Sequence, residues 1–265
     1  MFQIDERMTY RMPPHFGGSL EKPTHNLQYD DVTALMIHYL TDRDKLEQYI
    51  PEDFELLEPE VGIYMSKCRG VQWMVGGYYN LIMCAAPVKY LKAKEPIYGL
   101  YALVVWENKT APILGGREET GVPKIFADIP DFHEYGPYVT THASHEGRCF
   151  LELEFNKEAE LTDSEIFEMN RDETPLNQFG WRYIPNIGKP GAALSEIVVY
   201  PQQAKVLSGW KGSGKIAWTL AKMLFNPLQF HIIKAMAELP ILEYREAVFT
   251  KQINYLRGDL VRSLP

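Results

Sequence analysis

Strand-like runs dominate the hydrophobic pattern of this chain. Segments rich in Val, Ile, Tyr, Phe and Thr, bounded by Gly or Pro, cover residues 32–40, 62–68, 76–86, 97–106, 138–145, 149–155, 192–200 and 246–256. Each has the length and composition of a β-strand. Helical patterns are fewer. Thr41 and Asp44 open a helical stretch over 42–50 that Pro51 ends, and Thr162 with Glu165 makes a capping-box pattern ahead of 164–172. The longest helical tract predicted runs over 214–238, broken near Pro227. Residues 1–30 carry Pro, His and Gly without a period and read as an arm lying on a surface, its own or a neighbouring subunit's. With no internal repeat or low-complexity linker in the rest, the pattern predicts an α+β fold, mainly antiparallel β with a few peripheral helices. The arm is 1–30 and a single domain spans 31–265.

Composition narrows the class. At 265 residues and 46% hydrophobic content the chain can bury one large core. A net charge of −8, with no Lys or Arg run longer than two, argues against nucleic acid or an anionic membrane as the main partner. Cys68, Cys84 and Cys149 are widely spaced and odd in number, without a C-x-x-C, and read as buried thiols in a reducing compartment. The charged N-terminus lacks the apolar core of a signal peptide, and the longest uncharged runs, such as 97–106, are about half a bilayer span. A cytoplasmic protein is expected.

Several motifs then have to be weighed. "GWKGSGK" (Gly209–Lys215) fits the spacing of a phosphate-binding loop, but Ile216 stands where magnesium needs a Ser or Thr ligand. It reads as a glycine-rich turn between a strand and a helix. In "THASH", His142 and His145 fall on opposite faces of a strand and cannot share a metal without a bulge. No G-x-S-x-G elbow is present. The stretch "LGGREETGVPKIFAD" (Leu114–Asp128) is different. Pro123 fixes its own φ and holds Val122 extended, so Lys124 starts from a rigid point and enters an apolar segment. A lysine amine in water titrates near 10.4, leaving about one in a few thousand neutral at pH 7. Desolvation disfavours the ammonium, and a neutral amine forms a Schiff base with a ketone. The protonated imine is then an electron sink for making or breaking a bond at the adjacent carbon.

Gly116, Arg117 and Glu118, followed by Pro123 and Lys124, resemble the G-R-E…P-K motif around the Schiff-base lysine of the acetoacetate decarboxylase family. Thr41–Glu60, Tyr183–Asn186, Glu196 and the segment near Trp210 are similar to further family segments, so the resemblance spans about 30 to 256. It implies a closed cone or barrel of mainly antiparallel strands, assembled as a homo-oligomer, tetramer or larger. It implies Lys124 as the catalytic residue and no metal or organic cofactor, since the lysine is itself the electron sink. Glu118 is the candidate for proton transfer near the imine. Arg117 is the candidate to hold a carboxylate or pair with Glu118, and Tyr64, Tyr79, Asn80 and Glu196 are candidates for substrate contact, with Tyr78 as a further hydroxyl. For Arg117 and Glu118 the competing reading is a buried pair that only fixes the loop.

The departures from the family matter as much. A second lysine normally follows the catalytic one; here it is Ile125. Positions where the family keeps an arginine and two glutamates align with Val32, Tyr64 and Asn80. Keeping the lysine while losing those groups points from decarboxylation towards aldol condensation and dehydration, or the retro-aldol, of pyruvate with an aldehyde. Decarboxylation of a 3-oxo acid is the alternative, and a non-catalytic small-molecule binder on the same fold is the second alternative.

Overall fold

The computed structural model describes residues 1–18 and 26–265, so residues 19–25 of the expected arm lie outside the described residues. The first half runs β1 (Asn26–Leu40), α1 (Arg43–Glu47), β2 (Phe54–Leu56), β3 (Glu60–Val71), β4 (Gly77–Tyr90), β5 (Ile97–Glu107), α2 (Thr110–Thr120) and β6 (Lys124–Phe126). The second half runs β7 (His133–Tyr135), β8 (Tyr138–His145), β9 (Arg148–Glu160), α3 (Asp163–Arg171), β10 (Gln178–Pro185), β11 (Ala192–Val199), β12 (Gln202–Trp218), α4 (Phe230–Glu238), β13 (Glu243–Arg257) and β14 (Arg262–Leu264).

All the strands belong to one sheet, in the order β14-β11-β10-β5-β4-β3-β1-β13-β12-β9-β8-β7, with β2 beside β4 and β6 beside β5. Neighbours are antiparallel except where β10 and β6 each pair with β5. This is the mainly antiparallel α+β fold predicted. The closed cone or barrel is not formed among the described strands, because the path ends at β14 on one side and β7 on the other. None of the described helices is long and apolar enough to cross a membrane.

Alternation along the central strands gives the sheet two buried faces. On β4 and β5, Ile82, Cys84, Val104 and Trp106 point one way and join Leu35, Ile37, Ile63, Leu151, Phe155 and Phe249 in the main core, which α4 covers with Ile233 and Met236. Each such side chain contributes about 1.5–3 kcal/mol when fully buried. The other face carries Tyr29, Val32, Cys68 and Tyr79, then Met83, Val105, Val122 and Tyr200. It is the more polar face, and it holds the candidate site.

Three elements depart from the sequence reading. Asp42, not Thr41, caps α1, its carboxylate accepting from Lys45 N–H at 3.0 Å. The tract 214–238 is only partly helical: β12 runs on to Trp218, a 3-10 turn follows at Met223–Phe225, and α4 starts at Phe230. Pairing with both β9 and β13 overrides the local pattern there. "GWKGSGK" is therefore strand, not a turn. A Cβ on Gly212 would strike the Asn156 carbonyl oxygen and one on Gly214 would strike Ile37, so these glycines serve close strand packing.

Candidate active site

Lys124 opens β6, and its backbone is set by what precedes it. Helix α2 ends at Gly121, whose φ of 64° is left-handed. The Val122 N–H then donates to Gly116 O at 3.0 Å, and the Lys124 N–H donates to Val122 O at 2.7 Å across Pro123. That tight turn aims the chain along β5 in parallel, placing Lys124 beside Val105 and Ile125 beside Trp106. Ile125 packs on the main core. Lys124 takes the opposite face, the one shared by Val105 and Glu107.

The lysine side chain is nearly enclosed, 14% exposed. Its Nζ lies 2.8 Å from Glu107 Oε1 and donates to the Pro112 carbonyl of α2 at 3.1 Å. Gly116 makes that approach possible: a Cβ there would sit 2.5 Å from both Cδ and Cε of Lys124. Helix α2 is not among the helices expected from the sequence, and Pro112, Gly115 and Gly116 are poor helix residues. It is stitched to β6 by Arg117, whose Nη1 donates to Lys124 O at 2.9 Å.

Glu107 is the residue that the sequence reading missed. It ends β5, is 0% exposed, and among the described residues neither carboxylate oxygen has a directed hydrogen bond; Lys124 is its ion-pair partner by proximity. Burial pushes its carboxyl up, and the Lys124 ammonium opposes that shift only in part. A signal was present in the sequence: a single carboxylate closes the uncharged apolar run 97–106.

Neutral hydroxyls and a thiol surround the pair. Tyr79 donates to Tyr29 Oη at 3.2 Å, and Trp73 Nε1 donates to the same oxygen at 3.1 Å. Burial pushes the Tyr29 hydroxyl and the Cys68 thiol each up to about 12, with the Glu107 charge adding to both. Burial likewise raises Tyr79 and Tyr200, again with Glu107 contributing. These groups are protonated donors at neutral pH.

The residues expected at the site are only partly brought together. Tyr79 lies within the cluster. Tyr64 shares the face, but the register Tyr64–Met83–Val105–Lys124 puts it three strands away, roughly 14 Å along the sheet. Its ring instead packs edge-on against His38 at 5.3 Å. Asn80 follows Tyr79 and faces the other way, donating to Ile129 O and Asp131. Tyr78 is exposed, with Arg69 and Lys109 over its ring. Glu118 has no hydrogen bond or ion pair among the described residues. Arg117, exposed, binds the Lys124 carbonyl rather than Glu118, while the neighbouring Glu119 pairs with Arg11. Glu196 accepts from Arg182 at 3.0 Å and from Ser263 at 2.8 Å, not from Lys124. Val32 is buried on the lysine-bearing face.

The structure thus places an enclosed amine and a carboxylate at contact distance on an open, mainly antiparallel sheet. The model of the acetoacetate decarboxylase (ADC) family matches residues 11–263, and the chain belongs to that family. It is 31% identical over 243 residues to an acetoacetate decarboxylase of Paraburkholderia phytofirmans, covering 87% of this chain and 81% of that protein. Among solved structures it is similar to acetoacetate decarboxylase from Legionella pneumophila, with a TM-score of 0.73, 18% identity, and 94% and 91% of the two chains covered. It is also similar to the enduracididine biosynthesis enzyme MppR complexed with the condensation product of pyruvate and imidazole 4-carboxaldehyde. There the TM-score is 0.71 at 15% identity, over 96% and 95% of the chains.

Proposed function

We propose that the chain is a lyase acting through a Schiff base on Lys124, with small oxo acids as substrates, and that it condenses pyruvate with an aldehyde and dehydrates the product. The observation that carries this reading is the pairing of an enclosed lysine amine with a buried carboxylate. The anion 2.8 Å from Nζ offers an iminium its counter-charge and puts a base beside the nitrogen at which the imine would form. Proton removal at the carbon next to the imine gives an enamine, the species an aldol condensation needs. A second reading, decarboxylation of a 3-oxo acid, is supported by the name of the relative at 31% identity. No metal or organic cofactor enters either chemistry as proposed.

The test is borohydride trapping with pyruvate and acetoacetate in parallel, read by peptide mass spectrometry. A reduced pyruvate adduct on Lys124 without carbon dioxide release from acetoacetate supports the aldolase. An adduct with carbon dioxide release moves the protein to the decarboxylases. No adduct with a panel of oxo acids leaves Lys124 structural and favours a small-molecule binder. Assembly as a homo-oligomer belongs to the same proposal. Met223, Leu224 and Leu228, 59%, 83% and 83% exposed, support it, and sedimentation measures it.

A further inference from the structure

We infer that Glu107 is the acid–base partner of Lys124: it holds the amine's proton, delivers it to the leaving water during imine formation, and then removes a proton from the carbon next to the imine. This role rests on the Schiff-base reading of Lys124 and deepens it, because nothing in the G-R-E…P-K motif assigns the residue.

The observations are geometric. Glu107 Oε1 is 2.8 Å from Nζ, and the residue is 0% exposed. A buried ion pair is a poor device for stability, since desolving both charges offsets their attraction. Here the pair is also incomplete: among the described residues neither carboxylate oxygen has a directed hydrogen bond. The groups on its face of the sheet are Lys124 from β6, Cys68 from β3, Tyr79 from β4, Tyr29 from β1 and Tyr200 after β11. Of these, Lys124 is the one that carries a charge. Glu118, the carboxylate suggested by the motif, makes no such contact.

The steps balance as follows. One N–H proton of the Lys124 ammonium passes to the Glu107 carboxylate, leaving a neutral amine and a carboxylic acid and removing two opposite charges from a desolvated site. The amine lone pair attacks the substrate carbonyl carbon; a C–N bond forms, and the carbonyl oxygen takes up the second amine proton to give the carbinolamine. Glu107 donates its proton to that hydroxyl, the C–O bond breaks, water leaves, and the nitrogen lone pair closes the iminium. The regenerated carboxylate removes a proton from the adjacent carbon. The C–H pair becomes the C=C bond of the enamine, and the C=N pair returns to nitrogen.

Glu107→Gln, which keeps the shape and removes the proton acceptor, tests this in two arms. In the first, pyruvate is incubated in D2O and its methyl protons are followed by NMR, with borohydride trapping alongside. The variant is expected to retain a trappable Lys124 adduct at saturating pyruvate while methyl exchange falls by about 100-fold or more, the usual weight of one acid–base group. Glu107→Asp is expected to recover part of the exchange. Exchange at the wild-type rate in Glu107→Gln overturns the role. In the second arm, Lys124 is acylated with acetic anhydride and quantified by peptide mass spectrometry. Loss of the neighbouring anion disfavours the ammonium, so Lys124 in Glu107→Gln is expected to label about tenfold faster or more, opposite in direction to the exchange result. A carboxylate that only holds the site together would lose the trapped adduct along with the exchange. Should the wild type form no adduct with any oxo acid, the Schiff-base reading fails, and unchanged acylation would then overturn the proton-holding role as well.

Discussion

At the scale of single residues, the Lys124–Glu107 pair makes charge, burial and stability depend on one another. Lys124→Met leaves the Glu107 carboxyl buried without its cation. An unfolded glutamate titrates near 4.3, whereas burial holds Glu107 above that value. Between the two values the folded chain retains a proton that the unfolded chain has lost, so stability falls as pH rises. The melting-temperature gap between wild type and Lys124→Met is expected to be small near pH 4 and to widen towards pH 8. Calorimetry across that range checks it, and adding Glu107→Gln should flatten the slope. Gly116→Ala tests the cover over the pair. Its Cβ would lie 2.5 Å from the lysine stem, so helix α2 or the lysine has to move, at about 1–3 kcal/mol. Loss of the trapped adduct is expected with the melting transition still cooperative. Lys124 was legible in the sequence because a rigid Gly-Val-Pro turn and the G-R-E spacing mark it locally. Glu107 is marked in the sequence only as the carboxylate closing an apolar run; its nearness to Lys124 comes from parallel pairing of β6 on β5, which no local pattern encodes.

At the scale of elements, local chemistry was legible wherever it closes on itself. Helix α3 is the clear case: Thr162 N–H donates to Glu165 Oε2 at 2.8 Å, and Glu165 N–H donates back to Thr162 Oγ1 at 3.3 Å. Thr162→Ala is expected to lower stability by about 1 kcal/mol, read from urea melts. Glu165 itself is held down to about 2, first by Lys211 and then by Thr162. A depressed carboxyl stabilises above its unfolded value and loses that contribution as pH falls through the folded one. Glu165→Gln should therefore be less stable than wild type at pH 7 and converge with it towards pH 2. The elements that sequence patterns misjudged are those held by distant partners. The 214–218 end of β12 is strand because β9 pairs with it there, with Ile216 on Leu153 and Trp218 on Leu151. Helix α2 forms across two glycines because its end is closed by Gly121 and its flank rests on Lys124. Asn80 shows the same limit in register. One position along a strand changes the face, so Asn80 points away from the lysine while its neighbours Tyr79 and Leu81 lie on the lysine-bearing face.

At the scale of the whole molecule, the site sits where the sheet is least continuous. β1, β3, β4 and β13 each have a partner on both sides, whereas β6 is a three-residue strand paired with β5 alone, off the main path. Beyond that pairing, β6 is held by the Arg117 bond to Lys124 O, by Gln229 Nε2 donating to Phe126 O at 3.0 Å, and by Gly121 packed against Gly180 and Arg182. Val122 and Ile125 pack on the two cores, but the other contacts are polar, and of the α2 residues only Pro112 is buried. Segments with such sparse packing open at free energies well below global unfolding. Glu107, by contrast, ends a strand whose Val104, Val105 and Trp106 are buried on both faces of the sheet. The lysine therefore belongs to the part that opens and its carboxylate to the part that stays. Native-state hydrogen exchange should show amides across 110–124 exchanging well ahead of those in 101–107 under conditions where the sheet remains folded. If substrate enters by that opening, a borohydride-reduced adduct on Lys124 should slow exchange across 110–124 and leave the central strands unchanged. Equal protection of the two segments before trapping would mean that α2 and β6 open only with the whole sheet, and that substrate reaches the amine by another route.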